Sequence, residues 1–167
     1  TVYSEPDIGT TFHVYLPVTA EDAETPAEGG ALLPTGSERV MVVDDEPAVA
    51  AMAGEALRAL GYEVVEFTDS RKALREFREG PDRFDLVLTD QTMPHFTGSQ
   101  LRASMQFLRP GLPVIIVTGF HPRVRTESID GGPPPVVLSK PYTISELARQ
   151  VRTALDGVGI STGETGR

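Results

Sequence analysis

The chain has 167 residues, no cysteine and a net charge of −9, which allows one ordinary domain with additional segments and excludes disulfides and thiolate metal sites. Residues 1–37 carry six acidic residues and no Lys or Arg, and residues 38–157 carry 17 acidic against 14 basic residues. Because this negative charge would repel a phosphate backbone, we expect no direct nucleic-acid binding. No apolar run approaches the roughly 18 residues of a membrane span and no signal-peptide pattern opens the chain, so we expect a cytoplasmic fragment without membrane contact, whose parent chain could be membrane-anchored.

The two ends of the chain differ in composition from its middle. Residues 11–17 alternate apolar and polar side chains like a strand but have no sheet of their own, so residues 1–17 are interpreted as the end of another domain. Residues 18–37 are rich in Ala, Glu, Gly, Thr and Pro, which is typical of a flexible linker. Residues 158–167 are rich in Gly, Ser and Thr, and we expect a disordered tail there.

Residues 38–157 alternate strand and helix patterns, which predicts an α/β domain with a five-stranded parallel sheet. Residues 121–132 hold few apolar side chains and precede Pro133-Pro134-Pro135, so only a short degenerate fourth helix or a loop is expected there. In chain order, strands are predicted over 40–43, 62–67, 84–89, 112–117 and 136–138, and the other helices over 46–60, over 69–79, from 98 and from 144.

Apolar residues three and four positions apart give each predicted helix one buried face. Thr97 with Gln100, and Thr143 with Glu146, fit capping boxes that open the last two of these helices. The predicted buried positions include Val49, Met52, Ala53, Ala56, Leu57 and Leu60 in the first helix, Leu101, Met105 and Leu108 in the helix from 98, and Ile144, Leu147, Ala148 and Val151 in the last helix.

Polar residues follow the apolar strands at the points where the strands end. Asp44 and Asp45 follow the first strand, Asp90 the third, Thr118 the fourth and Lys140 the fifth. Because the carboxyl ends of neighbouring parallel strands form one crevice, we expect these side chains to meet there. Adjacent acids after a strand are also typical of a solvated turn or a helix start, so this interpretation depends on the order of the strands.

Three carboxylates in one crevice are costly without a cation, because two like charges about 4 Å apart repel by roughly 4 kcal/mol at an effective dielectric of about 20. Oxygen ligands favour Mg²⁺. Lys140 precedes a proline, so its peptide bond could be cis and direct the ammonium into the crevice, where Thr118 would add a hydroxyl donor. Asp90 is then the candidate nucleophile toward phosphorus, because an aspartate can form an acyl phosphate.

Short segments in a fixed order resemble a response-regulator receiver domain over residues 39–157, about seven-tenths of the chain. They are 42–46 (Val-Val-Asp-Asp-Glu), 88–94 (Leu-Thr-Asp-Gln-Thr-Met-Pro), 117–119 (Val-Thr-Gly) and 139–142 (Ser-Lys-Pro-Tyr). The resemblance implies a flavodoxin-like, doubly wound sheet of order 2-1-3-4-5. It also implies that Asp90 accepts a phosphoryl group from a phosphohistidine, and that Asp44, Asp45, Asp90 and the Thr92 carbonyl bind Mg²⁺.

Residues 4–17 are similar to the final hairpin of a histidine-kinase ATP-binding domain, with Gly9-Thr10-Thr11-Phe12 as its last glycine box. Kinase end, linker and receiver in this order imply a hybrid sensor histidine kinase. The fragment lacks the histidine helix and the other ATP-site boxes, so we expect self-phosphorylation at Asp90 but no ATP-dependent kinase activity, although the parent chain would be a kinase. Its expected partner is a histidine kinase or a histidine phosphotransfer domain, and it is expected to be monomeric or weakly self-associating.

One position departs from the receiver pattern. Receivers commonly carry an aromatic switch residue three positions before the lysine, where this chain has Val137. We therefore hypothesise a relay or phosphate-sink role without a DNA-binding output. Phe120, two residues after Thr118, is interpreted as a packing or surface residue. The alternative is that its side chain protects the acyl phosphate from hydrolysis by water.

Three other functions compete with phosphoryl acceptance. A receiver-like module could dock partners without phosphotransfer, but it would not need Asp90, Thr118 and Lys140. An aspartate-nucleophile phosphatase would carry a second carboxylate two residues after Asp90, where the chain has Thr92. A nucleotide-binding Rossmann domain would have a glycine-rich turn after the first strand, and residues 43–47 contain no glycine.

Overall fold

A computed structural model describes residues 1–6, 9–15, 32–119 and 134–158 of the chain. These residues fall into two units, of which the first comprises Thr1–Ala31 and the second Leu32–Arg167. The expected short fourth helix at 121–132, Phe120 and most of the expected linker lie outside the described residues. The expected tail at 158–167 also lies outside them except for Val158, which is the last residue of a helix. No helix in the described ranges is long and apolar enough to cross a membrane.

The first unit contains a two-stranded antiparallel hairpin. Strand β1 (Val2–Glu5) pairs with β2 (Gly9–Phe12), and Val2 lies opposite Phe12 at the open end. Gly9 has a φ of 129°, a conformation that favours glycine at the start of the return strand. Almost every residue of both strands is exposed, including the large apolar side chains of Val2, Tyr3 and Phe12.

The second unit is built on a parallel sheet of five strands. The strands lie in the order β4-β3-β5-β6-β7, so that the first strand of this unit sits between the second and the third. This is the 2-1-3-4-5 order expected from the sequence, and the α/β prediction is confirmed. The strands are β3 (Arg39–Val43), β4 (Glu63–Phe67), β5 (Leu86–Asp90), β6 (Val114–Thr118) and β7 (Val136–Ser139).

Three α-helices and one short 3₁₀ turn connect these strands within the described residues, and a fourth helix follows β7. The capping box that the sequence predicts at Thr97 and Gln100 is present, and Thr143 exchanges the corresponding hydrogen bonds with Glu146. The 3₁₀ turn at Pro81–Arg83 was not expected from the sequence. The helices are α1 (Pro47–Ala59), α2 (Ser70–Glu79), α3 (Gly98–Leu108) and α4 (Ile144–Val158).

Two apolar clusters pack on opposite faces of the sheet, because successive strand residues point to opposite sides. Val40 and Val42 of β3 pack with α1 and α4, whereas Met41 and Val43 pack with α2 and α3. Three predicted buried positions are wrong: Met52, Leu108 and Ile144 are 61%, 41% and 55% exposed. Leu108 and Ile144 are the terminal residues of their helices, and Met52 lies on the side of α1 away from the buried Ala50, Ala53 and Leu57, so none of them is covered by the sheet.

The segment before β3, which includes the end of the linker expected over 18–37, is fixed to the rest of the second unit by backbone hydrogen bonds. The N–H of Gly36 donates to the Leu60 carbonyl over 3.1 Å, and the N–H of Glu63 donates to the Glu38 carbonyl over 3.0 Å. Gly61 has a φ of 96°, and a Cβ there would lie 2.5 Å from the Gly36 carbonyl oxygen. Glycine at 61 therefore allows the close approach of the two chain segments.

Candidate functional site

The strand-end residues predicted from the sequence lie at the carboxyl edge of the sheet. Asp44 follows β3, and Asp90 is the last residue of the neighbouring strand β5. Thr118 ends β6, and Lys140 follows β7. Asp44, Asp90 and Thr118 are buried, with 6%, 9% and 4% of their surface exposed. Buried carboxylates need partners, because an unpaired charge away from water is strongly unfavourable.

Lys140 brings two of the carboxylates together. Its Nζ lies 2.7 Å from Oδ1 of Asp90 and 3.1 Å from Oδ2 of Asp44, and its side chain is 29% exposed. Burial lowers the pKa of the Lys140 ammonium, but the hydrogen bonds and charges of Asp90 and Asp44 outweigh burial and raise the pKa above its usual value. The ammonium therefore carries its charge at neutral pH, between two buried carboxylates.

Backbone amides hold the remaining carboxylate oxygens. The Glu46 N–H donates to Oδ1 of Asp44 over 3.0 Å, and the Thr92 N–H donates to Oδ2 of Asp90. Each carboxylate thus accepts one hydrogen bond from Lys140 and one from the amide two residues further along the chain. This arrangement fixes the orientation of both carboxylates, because both oxygens of each group are engaged.

Thr118 and Lys140 are linked through the backbone of the last two strands. The Lys140 N–H donates to the Thr118 carbonyl over 2.8 Å, and Thr118 lies opposite Ser139 in the register of β6 and β7. The Lys140–Pro141 peptide bond is cis, which the sequence allowed. Val137, at the position of the expected aromatic switch, is half-buried on β7.

Asp45 has a different environment from Asp44. Its side chain is exposed and lines a depression of about 230 Å³. Within the described ranges, no three acidic or histidine side chains are grouped as a ready metal site. Mg²⁺ nevertheless needs only one or two carboxylates when water and carbonyl oxygens complete its octahedron, so the oxygen donors at this edge fit that ion. The other lining residues of the depression are Thr68, Asp69, Ser70, Met93, Pro94 and His95.

The contacts of Gln91 and Gly98, on either side of the loop after Asp90, were not recognised from the sequence. Oε1 of Gln91 accepts hydrogen bonds from the N–H and the hydroxyl of Ser99, over 3.2 and 3.0 Å, in the first turn of α3. A Cβ on Gly98 would lie 2.4 Å from the Asp90 carbonyl oxygen. The capping box marks the start of α3, but no sequence signal shows that this start lies against the Asp90 backbone.

The same loop is also held from two neighbouring elements. The Gln91 N–H donates to the Val117 carbonyl over 2.8 Å, and the Ser70 hydroxyl donates to the Pro94 carbonyl over 3.0 Å. His95 has a φ of 71°, a left-handed conformation that is uncommon for residues other than glycine. The chain after Asp90 is therefore positioned by β6, α2 and α3 together.

Comparisons with known proteins agree with this geometry. A family model of the response regulator receiver domain matches residues 40–152. The sensor kinase CckA of Brucella abortus (strain 2308) is 29% identical over 162 residues, which cover 92% of this chain and 17% of that protein. The response regulator receiver protein CpdR of the same organism is 28% identical over 118 residues, which cover 71% of this chain and 97% of CpdR.

A solved structure supports the same relationship. The receiver domain of the hybrid histidine kinase CckA is 32% identical, with a TM-score of 0.59, and the match covers 70% of this chain and 98% of that domain. The family assignment agrees with the sheet order and with the match over most of the second unit. It also agrees with the position of four polar residues at one edge of the sheet, Asp44, Asp90, Thr118 and Lys140. The chain belongs to the response regulator receiver domain family of two-component systems.

Proposed function

We propose that Asp90 accepts a phosphoryl group from a phosphohistidine of a histidine kinase or a histidine phosphotransfer domain. The observation that carries this proposal is the position of the Lys140 ammonium, which contacts both Asp90 and Asp44 at the carboxyl edge of the sheet. A cation next to the acceptor oxygen is suited to stabilise the negative charge of a phosphoryl group, since phosphoryl transfer depends mainly on positioning and charge neutralisation.

In the proposed step, a carboxylate oxygen of Asp90 attacks the phosphorus atom of the phosphohistidine. A P–O bond forms while the P–N bond breaks, and the imidazole nitrogen leaves with the electron pair and is protonated from water. Asp90 becomes an acyl phosphate. The Lys140 ammonium and the Thr118 hydroxyl bind phosphoryl oxygens, and the backbone amide of Thr92 keeps the carboxylate oriented.

We further propose that the site takes Mg²⁺ through Asp44, Asp45, Asp90 and the Thr92 carbonyl. When bound, the ion neutralises negative charge on the carboxylates and the incoming phosphoryl group. The buried Asp44 and Asp90 support this assignment, because two carboxylates held by one ammonium leave a net negative charge at the site. The exposed Asp45 supplies a further oxygen at the same strand end.

We infer that the chain is part of a hybrid sensor histidine kinase, with a kinase-domain end at 1–17, a linker at 18–37 and the receiver at 38–157. A hairpin of two exposed strands is marginal alone in water, which supports the view that β1 and β2 complete a larger sheet. The match to CckA covers 92% of the chain, which is more than residues 38–167 alone contain, so the match extends into the N-terminal residues. The chain spans only 17% of the length of CckA.

The proposed output is a relay or phosphate sink, because Val137 stands at the usual aromatic switch position. Phosphorylation is then expected to leave the chain monomeric or weakly self-associating. Sedimentation velocity of the chain before and after treatment with acetyl phosphate measures this, and phosphorylation-driven formation of a tight dimer would contradict it.

Labelling with radioactive acetyl phosphate in the presence of Mg²⁺ tests the acceptor directly. The wild-type chain should incorporate label, and this label should be lost at alkaline pH because acyl phosphates hydrolyse there. Asp90→Asn should incorporate no label. Asp82→Asn is the matched control, because the Asp82 side chain is 99% exposed and lies in the turn before β5, whereas Asp90 is at the other end of that strand. Equal labelling of the Asp90 variant would refute the nucleophile assignment, and no labelling of the wild type would favour the alternative, a receiver-like module that docks partners without phosphotransfer.

A further inference from the structure

Helix α2 carries a cluster of positive charge on its exposed surface. Arg71, Lys72, Arg75 and Arg78 are all exposed and, together with Asp69, line a shallow depression of about 460 Å³. The three arginines follow spacings of four and three residues, which place them along one side of the helix over an axial distance of about 10 Å. These four basic residues are called the α2 basic surface below.

Most of this charge has no ion-pair partner among the described residues. Arg71 pairs with Asp69, with 2.8 Å between Nη2 and Oδ2. In the part of the chain that the structure describes, Lys72, Arg75 and Arg78 form no ion pair with any carboxylate. The α2 basic surface therefore presents three uncompensated cations to solvent.

The cluster is unfavourable for the helix that carries it. Like charges three and four residues apart repel along a helix surface, as Arg71 with Arg75 and Arg75 with Arg78 do. Arg71 and Lys72 also lie in the first turn, at the positive end of the helix dipole, and this turn contains no acidic residue. Asp69, the N-cap of α2, offsets part of this cost through its ion pair with Arg71, but Lys72, Arg75 and Arg78 form no such pair with a described carboxylate.

We propose that the α2 basic surface docks a short acidic segment of a partner protein. Guanidinium groups bind carboxylates through paired hydrogen bonds, and the three arginines would meet carboxylates spaced over two turns of a helix. The rest of the domain is acidic, because residues 38–157 hold 17 acidic and 14 basic residues, and without the four of the α2 basic surface only 10 basic residues remain. A nucleic acid or an anionic membrane would bring negative charge against that remainder as well, whereas a short segment contacts the basic surface alone. The proposal does not depend on phosphorylation of Asp90.

Fluorescein-labelled decaglutamate is a suitable probe, and its binding to the full chain can be followed by fluorescence anisotropy at low ionic strength, where surface charges are least screened. Arg75→Glu should raise the Kd at least about fivefold. Arg149→Glu, at an exposed position of α4, causes the same change in net charge and should alter the Kd by less than about twofold. Circular dichroism confirms that both exposed variants remain folded.

The other outcomes each overturn the proposal. Equal weakening by Arg75→Glu and Arg149→Glu would show that net charge, and not the α2 basic surface, attracts the probe. Absence of decaglutamate binding would show that the surface has no affinity for carboxylates. Tighter binding of an oligothymidylate, or of phosphatidylserine vesicles, with the same sensitivity to Arg75→Glu would assign the surface to a nucleic acid or a membrane instead.

Discussion

The Nζ of Lys140 lies 2.7 Å from Oδ1 of Asp90, although 50 residues separate the two in the chain. The same nitrogen contacts Oδ2 of Asp44, 96 residues away. Three strands of the sheet therefore meet through one ammonium group, and the site and the fold share this interaction. Because both carboxylates contact the same cation, a substitution that removes the Lys140 ammonium affects both of them at once.

Replacing Lys140 by Met should destabilise the domain. Two buried carboxylates would lose the cation that both contact, and leaving such groups unpaired costs about 1–3 kcal/mol. Urea unfolding in the presence of EDTA measures the change. Lys72→Met, on the exposed surface of α2, is the control and should stay within about 0.5 kcal/mol of the wild type. A loss no larger at Lys140 than at Lys72 would mean that the bridge contributes nothing to stability.

Magnesium should stabilise the folded chain. If the ion binds only the folded form, a 100-fold excess over its Kd adds about 2.7 kcal/mol to the free energy of unfolding. Asp45→Asn should reduce this gain by weakening the affinity for the ion, while Asp156→Asn, far along α4, should leave it unchanged. Thermal melting with and without MgCl₂ provides the measurement. Identical melting of the wild type in both buffers would count against the metal site.

Gly98→Ala should disturb the backbone of the acceptor. The added Cβ would lie 2.4 Å from the Asp90 carbonyl oxygen, so either α3 or the end of β5 must move. Such overpacking typically costs about 1–3 kcal/mol, and labelling of Asp90 by acetyl phosphate should slow as well. Gly111→Ala is the matched control, because a Cβ there meets no atom within 4 Å. Equal effects of the two substitutions on unfolding would remove the argument for close approach at residue 98.

Gln91→Leu should loosen the first turn of α3. The Ser99 N–H loses the acceptor that Gln91 provides, and the loss of such a cap costs about 1 kcal/mol. Gln91→Glu keeps an acceptor at the same place and should retain the protection of this amide. Hydrogen exchange of the Ser99 amide distinguishes the two variants. Unchanged exchange in Gln91→Leu would show that water replaces the side chain without cost.

The ion pair between Glu38 and Arg152 should contribute stability that depends on pH. Partial burial raises the pKa of the Glu38 carboxyl. The hydrogen bond and charge of Arg152, 2.8 Å away, together with hydrogen bonds from the Glu38 and Ser37 amides, outweigh burial and lower this pKa below its usual value. A depressed carboxyl pKa gives stability that is fully present above the unfolded pKa and is lost as the pH falls through the folded one.

Glu38→Gln should therefore be less stable than the wild type by about 0.5–1 kcal/mol at neutral pH. The difference should shrink as the pH falls below about 4.5. Urea midpoints across this range measure the difference. A gap between the two proteins that stays constant from neutral to acidic pH would contradict the assignment.

Local patterns determined most of the fold. The runs before Asp44 and Asp90 form strands, and the predicted capping box at Thr97 begins α3 as expected. These features depend on residues close in sequence, so the sequence alone reveals them. That the two strands lie side by side was implied by the receiver resemblance, because strand pairing joins residues far apart in the chain. The observed strand ends differ from the predicted ones by one or two residues. For example, Asp90 is the last residue of β5, whereas the sequence placed it after the strand.

Features that depend on packing were not visible in the sequence. Arg102 is 1% exposed on α3, although an arginine beside an apolar stripe would ordinarily be placed at the surface. The contact of Gly98 with the Asp90 carbonyl and the hydrogen bond from Ser99 to Gln91 join residues about eight apart through a loop whose path the sequence does not specify. The prediction placed Asp45 with Asp44, but the two adjacent side chains have different exposure, because successive residues at a strand end face different directions.

The hydrogen bonds at Gly36 have a practical consequence for protein engineering. They anchor the chain at the amino end of β3, whereas Asp44 and Asp90 lie at the carboxyl ends of their strands. The five residues of β3 put about 16 Å between the two ends. A fluorescent reporter joined before Leu32 would therefore be attached at the edge of the sheet opposite Asp90. It would leave the Asp90 carboxylate accessible to a phosphodonor.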